Sequence, residues 1–427
     1  MSSKRIAFIM YGYPLGVSSM IINSIRMFAR KDFKVDVYID KSTLNSCPIE
    51  FSEELVSLIV YDNETGNRGF FLRSYRFLSR KVRKFLSLLI TISGNFSFNF
   101  CLRLSYPDLF GFSEWLREKL SLYTYAYFMP VECDNILCLH GIKEKEKIIY
   151  YNMELLDWRA KNHLYAYINK IYGVKNLEYR MIKNLSHVVI QSPHRAKLFS
   201  KINHFDMNKI HILPVASIGE PVIDRSDYFR ELFSIPSNSK IVVYAGNFMP
   251  WAQCLEIIQN VKEWPEGYAL VMHTWNKAAL RTPYYQEMRK RAEGWPVYFS
   301  TEYIDYDEMA TVLSSADVGL LFYEPIDANF TEILFSSNKL SEYLKAGLPV
   351  ICSDYPSLKD FVQENAIGTA ISSIDDLPGV LLSFREQINV LRENAFACYQ
   401  RKLRFESYFE GFYRRLVNAE NCYDSRE

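Results

Sequence analysis

The sequence predicts an α/β protein with two Rossmann-like domains. Two observations predict this fold: a strand, a glycine-containing turn and a helix open the chain, and a second opening of the same kind starts near the middle. The length of 427 residues agrees with it, because two domains of about 200 residues can each bury a core.

The composition indicates a soluble globular protein in a reducing compartment. The net charge is +1, whereas a nucleic-acid-binding protein is usually strongly basic, so we expect no nucleic-acid partner. The eight cysteines form no C-x-x-C pair, which favours the cytoplasm. The first residues lack the apolar segment of a signal peptide, and no apolar stretch approaches the roughly 20 residues of a spanning helix.

The first domain opens with four predicted elements: strand Arg5–Met10, a turn over 11–16, a helix over 18–30 and a strand over 35–39. The spacing of Gly12 and Gly16 in the turn does not match the dinucleotide-binding fingerprint. We therefore predict no NAD site there.

Residues 68–85 form a basic, aromatic segment, and no acidic residue occurs between Gly66 and Pro107. Such a segment can lie in the headgroup layer of an anionic membrane, where each Lys or Arg contributes about 1 kcal/mol. A core helix whose arginines point to water explains the pattern equally well. Peripheral contact at the inner face of the cell membrane is our hypothesis for this segment.

Two polar residues follow predicted strands of the first domain. His140 follows an apolar run over 135–139, and Glu154 follows one over 148–151. Ligands bind at the carboxyl edge of open α/β sheets, so His140 and Glu154 are candidate catalytic residues. A hydrogen-bonded histidine without a catalytic role is an equally good interpretation of His140.

The remaining patterns define the domain organisation. The first domain continues with a helix over 165–184, strands over 188–191 and 210–213, and a helix over 193–199. The second has strands over 240–245, 269–273, 297–299 and 318–323 and a short helix over 308–313. We predict an N-terminal domain over 1–216, a linker over 217–239, a second domain over 240–385 and a C-terminal helical segment over 386–427.

The stretch FSSNKLSEYLKAGLPVICSD, residues 335–354, is the most informative about function. Small polar residues at 336–338 predict a helix start, Gly347 and Pro349 predict its end, and residues 350–352 predict a buried strand. Free N–H groups at a helix start favour phosphate, and Lys339 adds a full charge. Glu342, nearly one turn on, can accept hydrogen bonds from sugar hydroxyls. An ordinary capped helix with a Lys339–Glu342 surface pair is the alternative.

The run NKLSEYLKAGLPVI resembles the nucleotide-sugar-binding helix of glycosyltransferases with the GT-B fold, the family 4 group in particular. The resemblance implies two Rossmann-like domains facing across a cleft. It also implies that Lys339 and the backbone around Ser337 and Asn338 hold the donor diphosphate, and that Glu342 holds the ribose. Leu340 lies in the same helix start, and we expect it to be one of the donor-binding residues.

Other positions follow the family pattern less closely. Gly16 corresponds to a loop that, in the family, approaches the donor phosphates and the acceptor. Tyr303 lies in a loop that, in the family, contacts the nucleotide base. Gly246 is followed by Asn247, where most members have a basic residue, and Trp251 stands near the place of another. The family signature, two glutamates separated by seven residues, would end at Glu342, which leaves Leu334 at its first position. Glu324 and Glu332 have the same spacing at the wrong positions.

The resemblance implies a retaining, metal-independent glycosyltransferase that needs no cofactor beyond its nucleotide-sugar substrate. We expect a glycan or lipid-linked acceptor and a role in polysaccharide or glycoconjugate synthesis. The alternatives are a catalytically degenerate partner subunit and a nucleotide-sugar 2-epimerase. In the family the last helix returns to the first domain, and four aromatic residues have the spacing to dock there: Phe405, Tyr408, Phe409 and Phe412.

Overall fold

The computed structural model describes residues 4–62, 107–156, 175 and 178–424. They form two compact units: residues up to Leu213 together with those from Phe409 onwards, and Pro214–Tyr408. The basic segment 68–85 and most of the helix predicted over 165–184 lie outside the described residues. The domain boundaries at 216/217, 239/240 and 385/386 stay predictions.

The described part of the first unit contains seven parallel strands. Four pair in the order β3-β2-β1-β4 and three in the order β5-β6-β7. Two parallel bridges, Phe128 to Ile148 and Val131 to Tyr151, join β4 to β5. The strands are β1 Arg5–Met10, β2 Lys34–Asp40, β3 Val56–Tyr61, β4 Tyr127–Pro130, β5 Ile149–Tyr151, β6 His187–Ile190 and β7 Ile210–Ile212.

Among the residues that the structure describes, five helices lie between these strands: α1 Ser19–Ala29, α2 Lys41–Ser46, α3 Pro107–Leu120, α4 Glu132–Cys138 and α5 Pro193–Asn203. Helix α1 is buried along its whole length, in keeping with its apolar sequence. Asp40 caps α2 by accepting a hydrogen bond from the Thr43 N–H, and Ser192 caps α5 in the same way through Arg195.

The strand predicted over 135–139 is wrong. These residues belong to α4, and the strand that precedes it is β4, Tyr127–Pro130. A short apolar run has no periodicity that separates a strand from a buried helix, and here the helix forms. Asn135 on α4 accepts a hydrogen bond from the Tyr11 N–H at 2.7 Å, and its amide donates to Val131 O at 2.6 Å. Asn135 thereby ties the turn after β1 to α4.

The second unit contains one parallel sheet of six strands in the order β10-β9-β8-β11-β12-β13. Counted from its first strand, this is the order 3-2-1-4-5-6 of a dinucleotide-binding Rossmann sheet. The strands are β8 Lys240–Ala245, β9 Tyr268–His273, β10 Val297–Ser300, β11 Val318–Leu321, β12 Val350–Ser353 and β13 Gly368–Ile371.

The helices of the second unit are α6 Tyr228–Phe233, α7 Cys254–Asn260, α8 Pro283–Ala292, α9 Met309–Leu313, α10 Ala328–Thr331, α11 Asn338–Lys345, α12 Pro356–Glu364 and α13 Leu377–Cys398. Buried side chains of α7, α8 and α13 form one core with β8, β9 and β11. The sheet is therefore covered on this face, as parallel sheets require.

The C-terminal segment is not one continuous helix. A five-residue π-helical turn, Tyr399–Leu403, separates α13 from α14, Phe405–Asp424. The part of α14 from Phe409 onwards belongs to the first unit, where the Phe409 and Phe412 rings pack edge-on against Phe28 at centroid distances of 4.9 and 6.2 Å. Two of the four aromatic residues predicted to dock on the first domain therefore do so, whereas Phe405 and Tyr408 belong to the second unit. Within the described residues, no helix is both long and apolar enough to span a bilayer.

Candidate functional site

In the second sheet, the side on which successive strands are added reverses between β8 and β11. The chain runs from β8 outwards to β10 on one side, and from β11 outwards to β13 on the other. A reversal of this kind opens a crevice at the carboxyl ends of the two central strands, and ligands of open α/β proteins bind there. Gly246 follows β8 and Tyr323 follows β11 closely, so both residues lie at this crevice.

Helix α11 begins at the same edge. It starts at Asn338 with Ser337 at the N-cap, and Gly347 has a φ of 70° just after its end, so the predicted start and end are confirmed. The hydroxyl of Ser337 is hydrogen-bonded to the Tyr323 hydroxyl at 2.8 Å and makes no side-chain cap bond within the described residues. The helix start thus keeps N–H groups available for an anion.

Lys339 lies in an aromatic cradle at this helix start. Its Nζ atom is 4.9 Å from the ring centroid of Tyr244 and 4.6 Å from that of Tyr323, and it donates to the Tyr323 hydroxyl at 3.2 Å. Among the described residues, no carboxylate forms an ion pair with Lys339. The aromatic rings hold the ammonium group in place while its charge stays uncompensated, which suits an anionic ligand.

Gly246 is required by the position of Lys339. A Cβ atom at Gly246 would lie 2.6 Å from Lys339 Cε and 3.0 Å from Nζ. Any larger residue would displace the lysine. Gly246 also donates its N–H to His273 O at 2.9 Å, which fixes the turn to the end of β9.

Asn247 and Trp251 lie beside the aromatic rings around Lys339 and supply no charge. The Asn247 carbonyl accepts a hydrogen bond from the Tyr244 hydroxyl at 2.8 Å, and its side-chain oxygen accepts one from Asn276 at 3.3 Å. Trp251 stacks on Tyr323 with an interplanar angle of 5° and a centroid distance of 6.2 Å. Lys339 is therefore the only cation among these sequence-predicted donor residues.

Glu342 is buried within the second unit. One of its carboxylate oxygens accepts a hydrogen bond from the Ser217 hydroxyl, and the other is buried without a partner among the described residues. Burial raises the pKa of Glu342, while Lys345 and Ser217 oppose the shift. The contact between Glu342 and the ribose remains a proposal. Only one carboxylate oxygen of Glu342 is available for it, because the other is bonded to Ser217.

The remaining second-unit candidates differ in exposure. Tyr303 is partly exposed in the loop after β10, Asn338 is exposed, and Leu340 on α11 is buried. Leu334 is 8% exposed and apolar, so it places no carboxylate near α11. Glu332 instead lies near Ser357, whose hydroxyl donates to it at 3.3 Å.

A groove of about 760 Å³ adjoins the crevice on the β12 and β13 side. Its walls include Tyr323 and Tyr355, the exposed face of α7 and the turn after β13. Lys339 and Gly246 do not line it. The groove is therefore an extension next to the lysine site, and Tyr323 contributes to both.

The first unit has its own reversal between β1 and β4, and Glu132 lies there, directly after β4. Glu132 has a φ of 70°, a conformation that is unusual for a residue with a side chain. Its Oε1 atom accepts hydrogen bonds from the N–H groups of Met153 and Glu154, at 2.7 and 2.8 Å. Burial, followed by the nearby Glu154 carboxylate, raises the pKa of Glu132 to about 8.

Glu154 follows β5 and contacts Arg195, whose Nη2 atom is 3.8 Å from Oε2. His140, in contrast, follows helix α4 and not a strand, so the argument that placed it at a strand end is wrong. Burial lowers the pKa of His140 and the charges of Lys145 and Arg117 lower it further, which leaves a neutral imidazole at pH 7.

Gly16 packs inside the first unit. It is buried in a short turn after β1, where a Cβ atom would lie 2.7 Å from Pro48 O and 2.9 Å from Cys47 Sγ. Close packing against the end of α2 is thus sufficient to explain this glycine.

Four residues at these edges were not among the sequence-based candidates: Tyr244, His273, Tyr323 and Glu132. His273 ends β9 with its Nδ1 atom 2.9 Å from the Ser300 hydroxyl, and its Nε2 atom is buried without a partner among the described residues. Burial lowers the pKa of His273 to about 4. For Tyr323 and His273, the position at the end of a predicted strand was the one sequence feature that could have identified them as site residues. Glu132 had no such feature, because β4 was not predicted.

Comparison with known proteins agrees with this architecture. Residues 266–411 match the family model of the C-terminal domain of glucosyltransferase 3-like proteins. No curated protein matches the chain by sequence. Sucrose-phosphate synthase from Thermosynechococcus elongatus has a TM-score of 0.67 at 15% identity, over 97% of this chain and 100% of that one.

Two further solved structures are similar over nearly their full length. A glycosyltransferase from Rickettsia africae has a TM-score of 0.61 at 12% identity, over 98% of this chain and 99% of that one. Anabaena HepE in complex with UDP and glucose has a TM-score of 0.62 at 10% identity, over 97% and 100%. These likenesses show that the chain has the GT-B fold, and residues 266–411 match the C-terminal domain of glucosyltransferase 3-like proteins.

Proposed function

We propose that the chain transfers a sugar from a nucleoside-diphosphate donor to a glycan or lipid-linked acceptor, with retention and without a metal. The observation that carries this proposal is the uncompensated Lys339 in its aromatic cradle, at the start of α11 and against Gly246. UDP-glucose is the first donor to test, because HepE, a structure of similar fold, was solved with UDP-glucose.

The proposed chemistry follows from the negative charge of the leaving group. Glycosyl transfer passes through an oxocarbenium-like state while a nucleoside diphosphate departs. The Lys339 ammonium and the N–H groups of α11 would stabilise that diphosphate electrostatically. In this proposal Ser337, Asn338, Gly246 and Asn247 surround the diphosphate, and Leu340 belongs to the same helix start with its side chain buried.

The other contacts are proposed from their place at the sheet edges. Tyr303 would contact the base and Glu342 the ribose. Glu154 is the proposed polar group at the carboxyl edge of the first unit. Because a retaining transfer of the family type needs no protein base, the proposal assigns none.

The test is the rate of UDP release from UDP-glucose by Lys339→Ala. Loss of one preorganised charge should lower the turnover by roughly two to three orders of magnitude. Lys290→Ala removes an exposed lysine of α8 in the same unit and should leave the rate unchanged. Equal turnover in wild type and Lys339→Ala would refute the site.

A degenerate partner subunit is the second candidate. The apolar Leu334 and the neutral Asn247 favour it, because both stand where the family carries charge. Such a subunit would be stabilised by UDP in a thermal-shift assay and would release no UDP from UDP-glucose with any acceptor.

The acceptor and the location are proposed from the sequence. We propose that segment 68–85 brings the enzyme to an anionic membrane surface, where a polysaccharide or glycoconjugate precursor is extended. Flotation with anionic liposomes tests this. A wild-type chain that stays in the soluble fraction would remove the membrane from the proposal.

A further inference from the structure

The segment through which the chain enters the second unit is bonded to helix α11. The chain leaves the first unit at Leu213 and enters the second at Pro214. Ser217, three residues later, is fully buried. Its N–H donates to Ser341 Oγ at 2.8 Å, and its hydroxyl donates to Glu342 Oε1. The entering segment therefore contacts the same helix that carries the proposed donor site.

The hydrogen bonds among Ser217, Ser341 and Glu342 run in one direction. A hydroxyl has a single proton, and Ser217 donates its own to Glu342 Oε1. The Ser341 hydroxyl, whose oxygen is 2.9 Å from Ser217 Oγ, is therefore the donor in the contact between the two serines. Both hydroxyl protons are thus assigned, and the series of bonds ends on one oxygen of Glu342.

The other oxygen of Glu342 is an acceptor without a donor. Oε2 is buried and has no hydrogen-bond partner among the described residues. A buried carboxylate oxygen that accepts no hydrogen bond is costly, and a hydroxyl group of a ligand would satisfy it. The bond from Ser217 to Oε1 determines which of the two oxygens stays available.

Ser217 is also bonded to the segment through which the chain returns to the first unit. Its carbonyl accepts the Phe405 N–H at 3.0 Å, and it forms a parallel bridge with Arg404. The second unit ends shortly afterwards, at Tyr408. The backbone of Ser217 is therefore bonded on both sides, to α11 and to the returning segment, which makes its hydroxyl a fixed support for Glu342.

We propose that Ser217 is a positioning residue for the donor: it holds Oε1 of Glu342 so that Oε2 accepts a hydrogen bond from a ribose hydroxyl of the nucleotide. This inference rests on the proposed function, because the ribose enters the site only as part of a nucleotide. Ser217 does not contact the donor and acts through Glu342. Its hydroxyl therefore contributes to the binding of nucleotides that carry ribose hydroxyls and not to that of nucleotides that lack them.

The test is titration calorimetry of the full-length chain with UDP and with 2′,3′-dideoxyuridine diphosphate. Wild type should bind UDP about tenfold more tightly, because the analogue lacks the hydroxyls that would bond to a charged group. Ser217→Ala should weaken UDP binding by roughly this factor and leave binding of the analogue nearly unchanged. A serine that only supports the fold would weaken both ligands alike.

A double-variant cycle tests whether Ser217 acts through Glu342. Glu342→Ala should abolish the preference for UDP over the analogue. Adding Ser217→Ala to Glu342→Ala should then change neither affinity further, because the group that Ser217 positions is already absent. A selective further loss of UDP affinity in the double variant would overturn the proposed route through Glu342.

Two serine variants keep the test decisive. Ser341→Ala removes the hydroxyl bonded to Ser217 and should reduce the preference for UDP several-fold, so it decides the matter if Ser217→Ala does not fold by circular dichroism. Ser315→Ala is the matched control. Ser315 is fully buried in the same unit, and its hydroxyl donates to Val312 O at 2.6 Å, so the preference for UDP should be unchanged.

Lys339→Ala separates this inference from the proposed function. It should weaken binding of UDP and of the analogue by the same factor, because both carry the diphosphate. If it does so while the folded Ser217→Ala or Ser341→Ala variant keeps the wild-type preference, the donor site stands and the role of Ser217 is overturned. A wild-type chain that binds both ligands equally overturns the ribose contact and the role of Ser217. A wild-type chain that binds neither overturns the donor site as well.

Discussion

The two sheets reverse direction in the same way, yet the residues at the two reversals differ in chemistry: they are acidic in the first unit and basic in the second. In the first unit the edge between β1 and β4 presents Glu132, with Glu154 close by. In the second unit the edge between β8 and β11 presents Lys339 between the rings of Tyr244 and Tyr323. The strand order creates a crevice in both cases, and side-chain chemistry decides which ligand each crevice accepts.

This difference supports the second unit as the donor site of the proposed function, by an argument independent of sequence resemblance. The Glu154 carboxylate repels a diphosphate, and burial together with that carboxylate raises the pKa of Glu132 to about 8, so the neighbouring Glu132 keeps its proton at neutral pH. An uncompensated lysine at a helix start attracts a diphosphate. In the proposed function the first unit therefore binds a ligand with hydroxyl groups, which can bond to carboxyl oxygens.

The largest effect in this comparison is expected from Gly246→Ala. The new Cβ would lie 2.6 Å from Lys339 Cε, so the ammonium must leave its cradle. Displacement should cost about 1–3 kcal/mol, which corresponds to a roughly fivefold to 150-fold weaker affinity for UDP. Titration calorimetry with UDP measures it.

Gly379→Ala is the control for Gly246→Ala. Gly379 lies within α13, and a Cβ there would meet nothing within 4 Å. UDP affinity should be unchanged in this variant. If both alanine variants bind UDP as wild type does, the lysine is not held by its contact with Gly246.

Tyr323→Phe should have a smaller effect because the ring remains. The variant keeps the cation–π contact with Lys339 and the stacking on Trp251, and loses the hydroxyl that joins Lys339 to Ser337. Loss of one such hydrogen bond is worth about 1 kcal/mol, or roughly fivefold in UDP affinity.

Tyr285→Phe is the matched control for Tyr323→Phe, since Tyr285 also stacks on an aromatic ring, that of Phe248, whereas the rings that contact Lys339 are those of Tyr244 and Tyr323. An equal change in UDP affinity for both variants would show that the Tyr323 hydroxyl has no particular role in holding Lys339.

Local signals were sufficient to predict the elements that hold the second crevice. The start of α11 at Asn338, the left-handed Gly347 and the strands β8 and β12 all follow from residues adjacent in the chain. Lys339 was placed correctly at the helix start for the same reason. Periodicity and capping are properties of neighbours, and they can be read from a sequence.

Contacts between distant residues could not be predicted. Glu342 has Ser217 as its partner, 125 positions away, so its burial was not visible in the helix pattern. The cradle of Lys339 combines Tyr244, Tyr323 and Gly246 from two strand ends. In the first unit the run over 135–139 formed a helix, because nothing local separates a short buried strand from a buried helix. That error hid β4 and, with it, Glu132.

Glu132→Gln tests the charge of the first crevice through the pH dependence of stability. The folded chain holds the Glu132 proton up to about pH 8, whereas an unfolded chain releases it near pH 4.3. The folded state therefore binds more protons between these values, and this residue's contribution to stability falls as the pH rises. Glutamine can still accept hydrogen bonds from the N–H groups of Met153 and Glu154 but does not ionise.

Urea unfolding measures this effect. The stability of Glu132→Gln relative to wild type should rise from pH 5 to pH 9. Glu118→Gln, at an exposed position of α3, should show no such trend. A constant difference between Glu132→Gln and wild type across this range would mean that Glu132 is already ionised at pH 5, and that the first crevice carries its full negative charge at neutral pH.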